Sequence, residues 1–355
     1  MTFYGININT IIQTLTAIGI GGLAIYLTNQ HTQAMRDLYK KSKNLTSGNN
    51  NNNNYNNNSG DQSSQGIVDL FRNTLIEFIL SDETNNVVTI DSQATLDYAL
   101  MSLNENNVSS LPVVDLEHKK YIGTLSIVDI AAYVGKFPNQ DTPNTLVSEV
   151  LKYNREPFVP LYVNSSIQLL IHIMTHVNNC QVPIMSQNGI VVDMVSRRSL
   201  LKFVHENIEC LGSKSNNTVK SLDLLSNTIS TIDSNQKVID AINILNRDHI
   251  TELAVIDPET SKLVGSFSAS DLRKLSTYTF NRCYEPISKF INLDSDAVIL
   301  ASPNSSLRLV IKKFVENDCE ILWITDASMK PVSSITQISI MKYFLHAITE
   351  QPIQN

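Results

Sequence analysis

After the N-terminal region, the chain alternates short runs of β-branched and apolar residues with stretches whose apolar residues recur every three or four positions. Short runs of this kind are typical of strands, and the longer spacing places apolar side chains on one face of a helix. Residues 87–115 predict a strand (VVTI), a helix with Leu96, Leu100 and Leu103 on one face, and a second strand (LPVV). A polar turn then leads to residues 121–134, where a strand runs directly into another helix.

This order of strand, helix, strand and strand-to-helix junction occurs four times along the chain. Each junction carries a hydroxyl residue where the strand gives way to the helix, and successive hydroxyl residues are separated by 70, 72 and 68 positions. A fixed period of this size indicates repeated units of one fold. The sequence therefore predicts an α/β (α+β) protein built from four repeats, with junction residues Ser126, Ser196, Ser268 and Thr336.

The regions before the first repeat have a different composition. Asparagine dominates the segment that ends at residue 66, and this segment has almost nothing apolar to bury, which is typical of disorder. The predicted boundaries are 1–30 for an apolar segment, 31–66 for a basic and then Asn-rich disordered linker, 67–136, 137–206, 207–276 and 277–347 for the repeats, and 348–355 for a tail.

The N-terminal apolar segment includes Thr10–Leu27, eighteen residues without a charge. A helix of that length would span roughly 27 Å, which is close to the thickness of a bilayer core. A membrane anchor, a buried or partner-bound helix and a signal peptide are the three interpretations. The basic residues Arg36, Lys40 and Lys41 follow the segment, which disfavours a signal peptide and favours a cytoplasmic location, with or without anchoring to an intracellular membrane.

Composition narrows the functional classes. The formal net charge is −7 and no long basic run occurs, so a nucleic-acid partner is not expected. The four cysteines are widely separated, which indicates neither a disulfide framework nor a zinc site. Phosphate-binding and nucleophile-elbow motifs are absent from the sequence, and His172 and His176 flank Ile173 where a zinc protease needs glutamate. The sequence therefore predicts a non-catalytic protein that requires no cofactor.

The L-P-V-V-D strand, the turn and the G-x-x-S-x-x-D junction, recurring in fixed order over roughly residues 67–347, resemble the CBS domain. The resemblance implies that two repeats pair through their sheets into a Bateman module. Four repeats would then form two modules stacked as a disk, similar in layout to the γ subunit of AMP-activated protein kinase. Repeats 1 and 2 would form one module, and repeats 3 and 4 the other.

The resemblance also implies a ligand that contains adenosine, namely AMP, ADP, ATP or S-adenosylmethionine, bound between paired repeats. The junction hydroxyl would contact phosphate, and the carboxylate three residues later would accept hydrogen bonds from the ribose diol. Asp129 and Asp271 match that carboxylate, whereas Ser199 and Ser339 replace it in repeats 2 and 4. The predicted ligand-binding residues are Thr89, Ser126, Asp129, Ser196, Arg197, Arg198, Thr231, Ser268, Asp271 and Thr336.

Structural alternatives accompany these assignments. A serine followed by an aspartate three residues later is also an ordinary helix N-cap. Arg197 and Arg198 could equally form a solvated helix face. At the level of function, the alternative to a nucleotide sensor is a ligand-independent scaffold, with or without a membrane tether. A protein partner, as in a kinase-like complex, and a dimer are both compatible with the pattern.

Overall fold

The structure is a computed structural model that describes residues 2–3, 6–7, 62–80, 87–137, 142–176, 180–276, 278–317 and 319–349. The predicted apolar stretch at positions 10–27, most of the predicted Asn-rich linker and most of the predicted C-terminal tail lie outside these residues. No helix within the described ranges is long and apolar enough to cross a membrane.

The helices and strands follow the fourfold pattern. A two-stranded ribbon, β1 (Thr2–Phe3) and β2 (Ile6–Asn7), and helix α1 (Gln62–Arg72) precede the repeats. Repeat 1 contains β3 (Ile90–Asp91), α2 (Leu96–Glu105), β4 (Ser110–Asp115), β5 (Lys120–Ser126) and α3 (Ile127–Lys136). Repeat 2 contains α4 (Val147–Val150), β6 (Leu161–Tyr162), α5 (Ile167–His176), β7 (Gln181–Met185), β8 (Val191–Ser196) and α6 (Arg197–Glu206).

The second half of the chain repeats this order. Repeat 3 contains β9 (Thr231–Asp233), α7 (Val238–Asp248), β10 (Glu252–Ile256) and β11 (Leu263–Ser268). Repeat 4 contains α8 (Ile287–Phe290), α9 (Leu307–Asn317), β12 (Ile321–Thr325), β13 (Pro331–Thr336) and α10 (Gln337–Thr349).

Each of the first three repeats forms a three-stranded sheet. The middle strand pairs parallel with the first strand and antiparallel with the third. In repeat 4 the predicted first strand is reduced to one parallel bridge between Leu300 and Trp323. After the third junction, a 3-10 turn (Ala269–Lys274) stands where the pattern predicts a helix, and Leu275 then enters the core in extended conformation.

Connecting segments show which repeats belong together. The first part of repeat 1 pairs with repeat 2, and the first part of repeat 2 pairs with repeat 1. The same exchange joins repeats 3 and 4. The backbone bonds are Ile76 N to Ser165 O at 2.8 Å, Val147 N to Ala94 O at 2.9 Å, Val219 N to Ser305 O at 2.9 Å and Ser288 N to Ser234 O at 3.0 Å. Each repeat is thus completed by residues that lie next to its partner in the chain, which supports pairing 1 with 2 and 3 with 4.

Side chains on the sheets make the same pairings. Ser110 Oγ hydrogen-bonds Gln181 Oε1 between repeats 1 and 2. Between repeats 3 and 4, the Trp323 indole N–H donates to Ser266 Oγ at 3.2 Å. Trp323 is buried with Ala254, Leu263 and Ile321 in a small cluster, as expected from the sequence for a core residue.

The helices join different pairs of repeats from those that the sheets join, and they form two large cores. One core combines repeats 1 and 3, with α3 against α7, and the other combines repeats 2 and 4, with α6 against α9 and α5 against α10. Helix α1 joins the second core through Phe71, whose ring centroid lies 5.0 Å from that of Phe344. This helix begins at Gln62, within the predicted linker, and buries Val68 and Phe71.

We expect Gly135→Ala to weaken the contact between α3 and α7. A Cβ at position 135 would overlap Asn246 Nδ2 and approach Asn243 Oδ1 to 3.1 Å. Asn246 has little room to move because its amide donates to Ala131 O at 3.0 Å. Overpacking of this kind lowers the free energy of unfolding by about 1–3 kcal/mol. Urea denaturation measures the loss.

The control for this variant is Gly135→Ala combined with Asn246→Ala. Removing the amide side chain frees the space that the new methyl group needs, so the double variant should lose less stability than the two single losses added together. Simple additivity of the two losses would contradict the clash.

Candidate functional site

The four repeats enclose one cavity of about 840 Å³, which we call the shared cavity. It lies where the strand-to-helix junctions meet the turns that precede the middle strands, and every repeat contributes to its wall. Three junction hydroxyl residues, Ser196, Ser268 and Thr336, line it. Ligand-binding sites in proteins are typically concave spaces of this kind.

Each junction hydroxyl is an N-cap. Ser126 Oγ accepts the backbone N–H of Asp129 at 3.1 Å, and Ser196 Oγ accepts that of Ser199 at 3.0 Å. Thr336 Oγ1 accepts the N–H of Ser339 at 3.1 Å. The capping alternative raised by the sequence is therefore realised at these junctions, because the first amides of a helix have no acceptor within it.

Asp129 is fully buried, with 0% of its surface exposed. Its Oδ2 accepts the N–H and the hydroxyl of Ser126 at 2.9 and 2.7 Å. Its Oδ1 accepts the backbone N–H groups of Arg155 and Glu156 at 2.6 and 3.3 Å. Burial raises the pKa of Asp129 above its ordinary value, although these hydrogen bonds oppose the rise. Both carboxylate oxygens of Asp129, which the sequence predicts to bind a ribose, are thus hydrogen-bonded to other residues of the chain.

Asp271 is more accessible, with 20% of its side chain exposed. Its Oδ2 accepts the Ser268 N–H at 2.9 Å, and its Oδ1 receives the Lys274 ammonium group at 2.7 Å. Both partners belong to the same turn as Asp271, and a lysine on a flexible stem can move aside. The two aspartates that match the motif are therefore not equivalent in the folded chain.

Four arginines line the shared cavity. Arg155 reaches repeat 3, with Nη1 3.4 Å from Asn246 Oδ1 and Nη2 3.3 Å from His249 Nδ1. The others also bridge segments: Arg197 Nη2 donates to Met174 O at 3.4 Å, Arg198 Nη2 to Val315 O at 3.2 Å, and Arg273 Nη1 to Asn107 Oδ1 at 3.0 Å. Guanidinium groups held in this way present further N–H donors to an anion.

Three glutamates share the same wall, namely Glu156, Glu252 and Glu320. Burial raises the pKa of Glu252 to about 8, and the charges of Glu320 and Asp271 add to the rise. Burial also raises the pKa of Glu156, whose Oε1 accepts the Cys180 N–H at 2.8 Å. Burial therefore disfavours the charged form of both carboxyls, and a pKa of about 8 leaves Glu252 largely protonated at neutral pH.

The structure brings some predicted ligand residues together and leaves others apart. Ser196, Arg197, Arg198, Ser268 and Thr336 line the shared cavity. Thr89 and Thr231 are exposed at the beginning of first strands, and Ser126, Asp129 and Asp271 are not part of the cavity lining. Their role as ligand contacts stays a prediction.

Sequence reasoning missed several residues of the cavity. Arg155 and Glu156 lie in the connecting segment between α4 and β6, which the junction motif does not include. Glu252 and Glu320 directly precede or lie near the start of middle strands, at positions that recur with the same period as the junctions. Comparing those positions across the repeats would have marked them as facing a common space.

The remaining candidate chemistry is structural in the described chain. His172 is buried, its ring stacks on that of His176 at 5.4 Å, and burial lowers the pKa of His172 to about 4. All four cysteines are free thiols. Among the described residues, no group of three or more histidine, cysteine, aspartate or glutamate side chains is placed to hold a metal ion.

Comparison with known proteins identifies the repeated unit. The family model of the CBS domain matches residues 80–136 and 219–278, which cover most of repeat 1 and much of repeat 3. The crystal structure of protein MJ1225 from Methanocaldococcus jannaschii, described as a candidate archaeal homologue of the γ subunit of AMP-activated protein kinase, superposes with a TM-score of 0.62. That match covers 76% of this chain and all of the archaeal one at 21% identity, so it establishes a shared fold.

The sequence relatives include the same archaeal protein and fungal ones. The uncharacterized protein MJ1225 is 22% identical over 74% of this chain and 96% of its own length. Protein sds23/moc1 of Schizosaccharomyces pombe is 23% identical, covering 70% of this chain and 69% of its own. Protein sds23 of Neosartorya fischeri is 26% identical, and the match spans only 47% of that protein.

Proposed function

We propose, from the premise that this chain carries CBS domains, that it is a non-catalytic regulatory protein that binds an adenosine-containing ligand between paired repeats. AMP, ADP, ATP and S-adenosylmethionine are the ligands considered. The observation that carries the proposal is the shared cavity, where capped helix N-termini and four arginines converge from different repeats. Helix N-termini and guanidinium groups both favour phosphate oxygens.

Electrostatics favours an anion in this cavity. The arginines keep their charge at all physiological pH values, whereas burial raises the pKa of Glu252 to about 8 and also raises that of Glu156. Because a pKa of about 8 leaves Glu252 largely protonated at neutral pH, and burial also disfavours the charged form of Glu156, the arginines dominate the field in the cavity. A nucleotide with several phosphate oxygens fits this field better than S-adenosylmethionine, which carries a positive sulfur.

The arrangement of the four repeats within the chain is part of the proposal. Repeats 1 and 2, and repeats 3 and 4, form two Bateman modules that are stacked as a disk around the shared cavity. Exchanged connecting segments and the Ser110–Gln181 and Trp323–Ser266 contacts support the modules. The two mixed helix cores support the stacking, because each core combines one repeat from each module.

Such a layout explains how binding could regulate a partner. A ligand that touches several repeats stabilises the arrangement of repeats in which its contacts are complete. Binding therefore increases the fraction of molecules that have this arrangement. A protein that binds one arrangement better than the other responds to the ligand by the same coupling energy. The proposed location is the cytoplasm, and the membrane-anchor interpretation concerns only positions outside the described residues.

Isothermal titration calorimetry of the full chain with AMP, ADP, ATP and S-adenosylmethionine tests the function. We expect saturable heat with at least one of the three nucleotides. Arg198→Ala and Arg273→Ala should each weaken nucleotide binding about ten- to a hundredfold, because a hydrogen bond to a charged group contributes about 1.5–3 kcal/mol.

The matched control is Lys202→Ala, which removes an exposed positive charge from the same helix as Arg198. Its nucleotide affinity should equal that of the natural chain. No heat with any of the four ligands at millimolar concentration would contradict the proposed function.

A ligand-independent scaffold is the second candidate. The observation in its favour is Asp129, whose two oxygens are satisfied by Ser126, Arg155 and Glu156 without a ligand. A scaffold predicts that nucleotides leave the thermal stability of the chain unchanged. The calorimetric and thermal measurements therefore decide between the two candidates.

A further inference from the structure

The segment between α4 and β6 covers the carboxylate of Asp129 at the first junction. Asn154 Nδ2 donates to Thr124 O at 3.2 Å, which fastens the segment to strand β5. The next two backbone N–H groups, of Arg155 and Glu156, point at Asp129 Oδ1. Two N–H donors on one carboxylate oxygen resemble the two hydroxyls that a ribose diol would offer.

In repeat 3 the corresponding segment also packs on β11, where Leu293 lies against Gly265, but within the described part of the chain it donates no hydrogen bond to Asp271. The hydrogen-bond partners of Asp271 there are Ser268 and Lys274, both from its own turn. A hydroxyl-bearing ligand that displaced the Lys274 side chain would find an oxygen of Asp271 ready to accept. The same ligand at Asp129 would first have to displace main chain.

We propose that residues 154–156, which we call the linker lock, occupy the place of a ribose diol at Asp129 and close the repeat 1 site against a nucleotide. This inference rests on the proposed function, since it assigns which of the two motif-matched sites is open. Repeat 3 binds the nucleotide through Asp271, and repeat 1 holds its own chain through Asp129.

The linker lock also sets the wall of the shared cavity. While the backbone of Arg155 is held by Asp129, its guanidinium group reaches Asn246 and His249 of repeat 3. Glu156 is held in the same way, and its carboxyl accepts the Cys180 N–H of repeat 2. Opening the lock would withdraw both side chains, so the state of repeat 1 is coupled to repeats 2 and 3.

Two orphaned oxygens make the closed lock costly. Thr124 Oγ1 and Asn154 Oδ1 are buried and have no hydrogen-bond partner in the described chain. At the position of repeat 3 that corresponds to Thr124, Ser266 is bonded to both Glu252 and Trp323. Burial of unpaired polar atoms disfavours the closed arrangement, so the lock is held mainly by Asp129.

Amide hydrogen exchange of the full chain tests the lock without any nucleotide. We expect the Arg155 and Glu156 amides to be protected, and Asp129→Ala to accelerate their exchange at least tenfold. Thr124→Val removes one orphaned hydroxyl at nearly constant shape, so it should slow the exchange at least twofold. Glu105→Ala, an exposed carboxyl on α2, should change nothing at these amides. Unprotected Arg155 and Glu156 amides in the natural chain would overturn the lock.

Calorimetry with ATP then tests which site is open. We expect one ATP per chain, loss of that site in Asp271→Ala, and an unchanged stoichiometry of one in Asp129→Ala at ATP concentrations that saturate the natural chain. A site lost in Asp129→Ala and kept in Asp271→Ala would overturn the assignment. No ATP heat in the natural chain would overturn the assignment of Asp271 as an open ATP site. The proposed function fails only if none of the four ligands gives heat, and the exchange data test the lock independently of either result.

Discussion

Replacing Phe71 with alanine is expected to lower the free energy of unfolding by about 3–5 kcal/mol. Phe71 has 0% of its surface exposed and packs against Phe344, so its removal leaves a cavity in the core shared by repeats 2 and 4. The backbone around it also completes repeat 2 through Ile76 N and Ser165 O. Urea denaturation followed by circular dichroism measures the loss.

The control for Phe71→Ala is Tyr278→Ala, which removes an aromatic side chain that is 93% exposed and should change stability by less than about 0.5 kcal/mol. Phe344→Ala and the double variant complete the comparison. Because the two rings touch, the double variant should lose less than the sum of the single losses. Equal losses for Phe71→Ala and Tyr278→Ala would show that α1 is not part of the core.

This role of α1 marks a limit of prediction from sequence. The fourfold order of strands and helices follows from hydrophobic spacing, and the helix face of Leu96, Leu100 and Leu103 is fully buried as expected. The start of α1 at Gln62 could not be predicted, because its neighbours are polar and its burial depends on repeats 2 and 4, far away in the chain.

The candidate site shows a second limit. The junction motif predicts the hydroxyl caps and places Arg197 and Arg198 beside one of them, and the structure puts all of these near or in one cavity. The motif says nothing of Arg155, which reaches the cavity from a connecting segment that the motif does not include. The motif also does not predict what covers Asp129, because the covering groups are the backbone N–H groups of Arg155 and Glu156, which every residue except proline has.

These two limits have one physical cause. Local spacing determines which side of a strand or helix is apolar, whereas contacts between segments distant in sequence determine which polar groups are consumed internally. Asp129 and Asp271 have the same motif and different surroundings, and only the tertiary contacts distinguish them. For the same reason, only the fold shows that an acid such as Glu252 is buried.

Glu252→Gln is expected to make the chain more stable at pH 8 than the natural one, by on the order of 3 kcal/mol, with little difference at pH 5. Burial raises the pKa of Glu252 to about 8, from 4.5 in the unfolded chain. A carboxyl with the higher pKa in the folded state keeps a proton that the unfolded state releases. Its contribution is therefore complete below pH 4.5 and is lost as the pH rises toward 8, by at most about 1.4 kcal/mol per pH unit. Glutamine mimics the protonated form and removes this dependence.

Urea denaturation at pH 5, 6.5 and 8 measures the difference between the two chains. Burial lowers the pKa of His172 from 6.5 to about 4, so His172 also changes the stability of the chain between pH 4 and 6.5, but it does so equally in both chains and cancels in their difference. Hydrogen bonds from Arg247 and Ser230 hold the pKa of Asp248 at about 2, below the range. Glu105→Gln, at an exposed position, should leave the pH profile of the natural chain unchanged. Glu156→Gln, like Glu252→Gln, should reduce the dependence of the free energy of unfolding on pH, because burial raises the pKa of that carboxyl too. If the difference between Glu252→Gln and the natural chain were the same at all three pH values, Glu252 would be ionised in the folded chain, and the arginines would not dominate the shared cavity.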